Sequence, residues 1–376
     1  MDLCLVAHFA YGALTGSTDG HIGGVERQVA LMSKWLAARG HHVSVVTWEE
    51  NGPQEEVIDG VRVLKVCRRD AGLPLTRFFH PRWTGLNRAL READAQVYYQ
   101  NCAEVVTGQV ALWARRNDRR FVFSVASDPE TDPALPVHRS LRERWLYRYG
   151  LTHADQRLVQ TQAQRSALEQ GFGLSSKVQK MPTAVNPDLD IAALLAIRDA
   201  APRVLWIGRF DPVKNVELLF EVAERLPAVH FDVVGGEDQD PDYAERMMRQ
   251  GERLPNVELH GRCGPAEVQA MLGRSSLLLC TSLHEGFPNT FIESWSYGRP
   301  IVSTVDPDEL IQRLQIGAIA EGAQALSEAI AGFIEHPRKL DEASHTAREY
   351  FLAHHELERA MQAFEQVFAE SLDEAP

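Results

Sequence analysis

Short apolar runs alternate with helix-spaced apolar positions along nearly the whole chain, and this alternation most narrows what the chain can fold into. Leu3 to His8 is the first run. Val25, Val29, Met32 and Leu36 then share one helical face up to Gly40, and His42 to Trp48 is apolar again. Further strands are expected near Ala95 to Tyr99, Arg120 to Val125 and Gln156 to Gln160, each followed by helical spacing over Val105 to Arg116, Val137 to Tyr149 and Gln162 to Gln170. Strands that alternate with helices form parallel sheets with right-handed crossovers. The one departure is "VIDGVRVLKV", where Asp59-Gly60 between alternating apolar positions predicts an antiparallel hairpin.

The alternation breaks once. From Asn186 to Pro202 a polar and then alanine-rich stretch, bracketed by prolines, reads as an interdomain connection. Strands then resume at Val204 to Gly208, Phe231 to Val234, Val257 to His260, Leu277 to Cys280 and Ile301 to Val305. Helices are expected over Val216 to Leu226, Pro265 to Gly273 and Thr290 to Tyr297, then over Ala323 to Ile334, Asp341 to His354 and Leu357 to Ser371. A chain of 376 residues suits two cores. The expected architecture is α/β, with an N-terminal Rossmann-like domain at 1–190, a C-terminal one at 200–354, and a cleft between them. A C-terminal helix at 355–376 is free to pack back on the N-terminal domain.

Composition excludes several functions. With 52 acidic against 39 basic residues the net charge is −13, which argues against non-specific nucleic-acid binding. Five scattered cysteines without a C-x-x-C pair fit a reducing cytoplasm. "MDLCLVAHFA" has no basic region before a long apolar stretch, so no signal peptide is expected, and no window approaches about eighteen consecutive apolar residues. Any membrane contact is then peripheral, at the inner face.

The chemistry concentrates at strand ends in the second half. "HEGFPNTFIE" sets Glu285 and Glu293 around a strand-to-helix junction, where helix N–H groups point at ligands. Carboxylates accept from adjacent hydroxyls, as a sugar and a ribose present them. In "GRFDPVKNVE", Arg209 offers a fork and Lys214 a point charge for a diphosphate. Arg209 can equally pair with a carboxylate on a neighbouring loop, Glu293 can serve as a helix N-terminal charge, and Glu285 can sit in a solvated loop. "VVGGE" supplies a glycine pair at another strand end. Taken as one ligand, two cations and two carboxylates fit a nucleotide-diphosphate sugar.

Gly208-Arg209 with Lys214, then Glu285-Gly-Phe-Pro with Glu293 and Gly298-Arg299-Pro300-Ile301-Val302, resemble the retaining glycosyltransferases of family four, which have the GT-B fold. "GGVERQVALMSKWLAARGHHVSVVT" from Gly23 is similar to that family's glycine-rich loop and first helix, so the likeness covers nearly the whole chain. The resemblance implies two facing Rossmann-like domains with a deep interdomain cleft, the nucleotide held mainly by the second and the acceptor by the first. It implies that Arg209 and Lys214 bind the diphosphate, Glu285 the transferred sugar, and Glu293 the ribose. Gly286, Phe287, Pro288 and Asn289 would line the donor site, and Gly23 and Gly24 would let backbone approach a phosphate or acceptor. It further implies transfer with retention onto a glycan or lipid-linked glycan in cell-surface polysaccharide or glycolipid synthesis. No obligatory metal and no other cofactor is expected, since no grouped His and Asp ligands have a metal spacing and the cationic pair can take a metal's place at the phosphates. A GT-B nucleotide-sugar epimerase or a non-catalytic nucleotide-sugar binder shares the same diphosphate cations.

Two features depart from the family or lie outside it. Where many members carry a sugar-contacting histidine, this chain has Ser127 and Asp128, which are the expected replacements. The glycine expected after the lysine is Asn215, which tolerates left-handed backbone. His8, His21 and His284, three of fourteen histidines, lie at loops and none is assigned to catalysis. "RFFHPRW" and "RSLRERWLYRYG" interleave arginine with aromatics, as surfaces that meet anionic membranes do. The favoured expectation is that Phe78, Leu141 and Trp145 pack inward and leave the arginines in solvent.

Overall fold

The computed structural model describes residues 1–16, 23–50, 52–136, 140–184, 189, 202–236 and 240–373. His21, Glu237 and the expected 186–202 connection fall outside them, apart from Leu189 and Pro202. The chain divides into two units, Met1–Ala184 with Leu357–Pro376, and Val185–Glu356.

The first unit holds an eight-stranded sheet in the order β3-β4-β2-β1-β5-β6-β7-β8. Its strands are β1 (Asp2–Val6), β2 (His42–Thr47), β3 (Glu55–Ile58), β4 (Val61–Lys65), β5 (Val97–Asn101), β6 (Arg120–Ser124), β7 (Gln156–Val159) and β8 (Lys177–Val178). All pairs are parallel except β3 with β4, the hairpin whose Asp59 and Gly60 both take positive φ, 49° and 80°. Central strands are buried on both faces, so Leu3–Val6 and Val97–Tyr99 read as apolar runs, although β5 also buries Gln100 and Asn101 at its carboxyl end. The last helix, Leu357–Asp373, belongs to this unit: Phe364 and Phe368 meet Tyr99 of β5 edge-on at 6.1 and 5.7 Å, and Trp35 Nε1 donates to Glu358 at 2.9 Å.

The second unit holds six parallel strands in the order β11-β10-β9-β12-β13-β14. They are β9 (Arg203–Ile207), β10 (His230–Val234), β11 (Val257–Gly261), β12 (Leu277–Cys280), β13 (Ile301–Ser303) and β14 (Gly317–Ile319). The chain runs outward from β9 to β11 and then returns to the other side of β9, so the order reverses between β9 and β12. These two strands pair only at Val204–Leu277 and Leu205–Leu278 before each follows its outer neighbour. Such a reversal is where open α/β sheets form the ligand-binding crevice, beyond the carboxyl ends of the two strands.

Several elements were not expected. The helices Thr84–Ala93 and Pro241–Gly251 bury Leu86, Ala89 and Leu90, and Tyr243, Ala244 and Met247, at helical spacing that sequence reasoning missed, while β14 is three residues long with intermediate burial and gives little apolar signal. The helix expected from Val137 is described from Leu141 to His153, started by Ser140, whose hydroxyl accepts from the Glu143 N–H. Leu141 and Trp145 do not pack inward: they are 84% and 60% exposed, because this helix buries Leu146, Tyr147, Gly150 and Leu151 instead.

Candidate active site

In the second unit, the loops leaving β9 and β12 are stitched together across the crevice. The buried Trp206 indole on β9 donates from Nε1 to Thr281 Oγ1 at 3.0 Å, and Thr281 Oγ1 donates to the Lys214 carbonyl at 2.7 Å. The Leu283 N–H donates to the Val213 carbonyl at 2.8 Å. Asp211 caps a single tight turn, Pro212–Lys214, by accepting from the Val213 N–H, and Asn215 closes it in left-handed backbone at φ 50°, ψ 59°. That turn aims Lys214 across the crevice, where its ammonium pairs with Glu285 Oε1. The same Oε1 accepts from Ser282 Oγ at 2.6 Å. Neither partner is sealed from water, with 22% of the Lys214 and 15% of the Glu285 side chain exposed.

The β9 end also meets β10 closely. Gly235 sits at φ 141°, and a Cβ there would lie 1.7 Å from the Gly208 carbonyl oxygen, whereas a Cβ on Gly208 would meet the Trp206 ring at 2.7 Å, so backbone crowds the first glycine and an indole the second. Arg209, the next residue, is exposed at the end of β9.

After Glu285 the chain turns into the helix Asn289–Ser296, entered at Pro288 without a side-chain cap. Phe287 is buried against Trp295 at 6.0 Å and His355 at 5.3 Å. That ring anchors the turn, so what Gly286 to Asn289 can offer a ligand is backbone and the Asn289 side chain rather than an aromatic face. Glu293 lies on the helix, half-buried. Arg299 serves the fold: fully buried, it donates from Nε to the Leu272 carbonyl at 3.0 Å and from Nη2 to that of Gly273, closing the carboxyl end of the helix Pro265–Arg274. Cys280, at the end of β12, has its thiol pushed up by burial and secondly by the Glu285 carboxylate, so it is no thiolate nucleophile.

The remaining expected residues lie in the first unit. Gly23 precedes the helix Gly24–Ala38 with φ −93°, a conformation open to any residue, and Gly24 is that helix's first residue. Ser127 and Asp128 follow β6, but both are engaged locally. Ser127 Oγ donates to Glu130 Oε1 at 3.0 Å, and Asp128 Oδ1 accepts from Gln164 Nε2 at 2.9 Å. Sequence reasoning missed Glu130, which is 2% exposed and accepts from the Ala126 N–H at 3.1 Å. Burial pushes its carboxyl up to about 7, against the opposing pull of the Ala126 N–H and the Ser127 hydroxyl. The signal was present: Ser127-Asp-Pro-Glu130 is the S-x-x-E spacing of a capping box. His8, also in this unit, stacks on Trp48 at 4.0 Å with its Nδ1 3.7 Å from Glu104.

Among the described residues one His/Asp/Glu group, His230, Asp232 and Glu258, is close enough to share an ion. Cations of the chain already fill that place. Asp232 accepts from Arg203 at 2.7 and 2.8 Å and from Arg274 at 2.9 Å, with His260 Nε2 at 2.7 Å. Burial alone would raise this carboxyl, but the hydrogen bonds from Arg203 and His260 take it down to about 2.

Residues 23–183 match the family described as "Glycosyl transferase 4-like domain", and 201–336 match "Glycosyl transferases group 1". The chain belongs to the GT-B glycosyltransferases of the family-four type. The chain is 30% identical over 203 residues to a GDP-mannose:cellobiosyl-diphosphopolyprenol alpha-mannosyltransferase of Komagataeibacter xylinus, spanning 47% of this chain and 50% of that one. It is 28% identical over 165 residues to a trehalose synthase of Pyrococcus horikoshii, spanning 39% of each. The chain thus spans half or less of the length of these two relatives. Two solved structures share its fold: a sucrose-phosphate synthase from Thermosynechococcus elongatus (TM-score 0.78, 20% identity, 98% of each chain) and Anabaena HepE in complex with UDP-glucose (TM-score 0.75, 16% identity, 98% of this chain and 99% of that one).

Proposed function

We propose that this glycosyltransferase moves a sugar from a nucleotide-diphosphate donor onto a glycan or lipid-linked glycan, retaining the anomeric configuration, in the making of a cell-surface polysaccharide or glycolipid. The observation that carries the reading is the Lys214–Glu285 pair at the β9/β12 reversal. A cation and a carboxylate held side by side at a strand-end crevice suit a ligand that carries a phosphate next to a polyol. Lys214 and Arg209 take the diphosphate, Glu285 a hydroxyl of the transferred sugar, and Glu293 the ribose. Support also comes from HepE, whose structure contains UDP-glucose, and from the mannosyltransferase relative, whose name specifies a nucleotide-sugar donor and a diphosphopolyprenol acceptor.

In this mechanism the bond from the anomeric carbon to the departing phosphate oxygen breaks as the acceptor oxygen adds from the same face. The acceptor's proton passes to that phosphate oxygen, so no protein nucleophile is required. The leaving group gains negative charge, and Lys214 and Arg209 are the positive groups that stabilise it. Because these cations neutralise the diphosphate themselves, no metal is required.

The test is a panel of nucleotide-diphosphate sugars, incubated with and without glycan and polyprenyl-diphosphate-glycan acceptors. Product is read by mass spectrometry and its anomeric configuration by NMR. Retained-configuration product that depends on acceptor supports the proposal. Conversion of donor without acceptor would make the protein an epimerase, and binding without turnover would make it a nucleotide-sugar binder.

A further inference from the structure

Nine large apolar side chains are exposed among the described residues, and five of them fall in two segments of the first unit. Leu73, Leu75 and Phe79 are 73, 95 and 60% exposed, and Leu141 and Trp145 are 84 and 60% exposed. Scattered apolar side chains need no explanation, but a cluster does. These two segments are joined: the Arg142 guanidinium lies 3.9 Å from the Phe78 ring, and Phe78 meets Phe79 at 5.0 Å. On the helix, Leu141 and Trp145 stand one turn apart, Arg148 lies on the same side, and Trp145 stacks on Tyr149 at 5.5 Å.

Charge follows the same segments. Arg68, Arg69, Arg77 and Arg82 stand against Asp70 alone in the first, and Arg142, Arg144 and Arg148 against Glu143 alone in the second. This excess of positive charge belongs to a chain whose net charge is −13. Glu143 is partly withdrawn from the surface balance, since it accepts from the Ser140 N–H at 3.1 Å in the helix cap.

We propose that this face docks the first unit on an anionic lipid bilayer, with Leu73, Leu75, Phe79, Leu141 and Trp145 entering the headgroup layer and the arginines pairing with lipid phosphates. Exposed aromatic and aliphatic side chains interleaved with arginine are what a bilayer interface solvates: apolar bodies reach the acyl boundary, and guanidinium groups stay among the headgroups. A second copy of the chain fits the face less well. A twofold contact would set the same arginines against each other, and protein interfaces exclude charge from their centres. Among the described residues no helix is long and apolar enough to cross a membrane, so the contact is one of lying on the surface.

Flotation of the full chain with vesicles tests this. It should partition onto phosphatidylcholine vesicles that contain phosphatidylglycerol and stay in solution with phosphatidylcholine alone. Partition should fall between about 0.1 and about 1 M salt, where the screening length shortens from about 10 to about 3 Å. Arg144→Gln should weaken partition roughly fivefold, the usual effect of one basic residue at an anionic surface. Trp145→Ser with Leu75→Ser should weaken it further without lowering the melting temperature, because both side chains are exposed. Equal partition onto neutral vesicles, indifference to salt, or no partition at all would overturn the proposal. So would a Trp145→Ser, Leu75→Ser variant that turns a dimer into a monomer in sedimentation and keeps its vesicle binding. Flotation requires no sugar transfer, so its failure leaves the donor site untouched.

Discussion

Glu285→Gln separates two roles that meet in one side chain. Its Oε1 holds both the Lys214 ammonium and the Ser282 hydroxyl, the latter at 2.6 Å, in a pair 22% and 15% exposed. An ion pair this open to water is worth about 1 kcal/mol. In the empty site that energy opposes phosphate binding, because Lys214 must loosen its hold on Glu285 to reach a diphosphate. The amide keeps the shape and the Ser282 hydrogen bond but gives up the charge. Nucleoside-diphosphate affinity should therefore rise roughly fivefold, the equilibrium equivalent of that energy. Transfer should move the other way and fall by about 10²–10³, as when one preorganised group that contacts the reacting sugar is lost. Calorimetric titration with UDP, GDP and ADP reads the first effect, turnover at saturating donor reads the second, and an unchanged melting temperature confirms the fold. A tenfold weaker diphosphate affinity would refute the argument, since Glu285 would then be orienting Lys214 rather than competing for it. Full turnover would remove Glu285 from the site.

Lys214→Ala should weaken nucleoside-diphosphate binding by roughly 10- to 100-fold, the loss of one charge-assisted bond of about 1.5–3 kcal/mol, and leave nucleoside binding unchanged; equal losses for both ligands would contradict a phosphate role. Glu130 has a folded-state pKa above its unfolded value, so the stability tied to its protonation is present below the unfolded pKa and is lost as pH rises through about 7. Glu130→Gln should flatten the unfolding free energy over that window and add about 3 kcal/mol at alkaline pH, read by denaturant titration across pH. Asp232 is the opposite case: its pKa is depressed to about 2, so its contribution is present above the unfolded value and lost as pH falls toward 2. Asp232→Asn should cost about 2–5 kcal/mol at neutral pH, because Arg203 and Arg274 lose their shared partner, and an unchanged denaturation midpoint would deny the cluster that role. Activity in the presence of EDTA should match activity without it, and its loss would return a metal to the mechanism.

The chain's one-dimensional pattern determined the class of fold. A strand buried on both faces must be apolar at every position, as in Leu277–Cys280, and a covering helix must be apolar every third or fourth, as in Gly24–Ala38. Both requirements are local, so both can be read along the chain, as can the Asp59-Gly60 turn, whose backbone conformation few other residues accept. The three-residue β14 left no comparable trace, whereas Thr84–Ala93 carries Leu86, Ala89 and Leu90 at helical spacing and was legible but missed. The residue types of the candidate site were also legible, because strand-end cations and carboxylates stand out against apolar runs. Their partners were not. That Lys214 meets Glu285, seventy-one positions away, follows from the reversal of strand order between β9 and β12. That Phe287 anchors its turn, that Glu130 lies buried under Ser127, and that Leu141 and Trp145 face water were likewise decided by tertiary packing. Periodicity says how many faces a segment must hide, but only the assembled neighbours decide which face is hidden and which charge ends beside which.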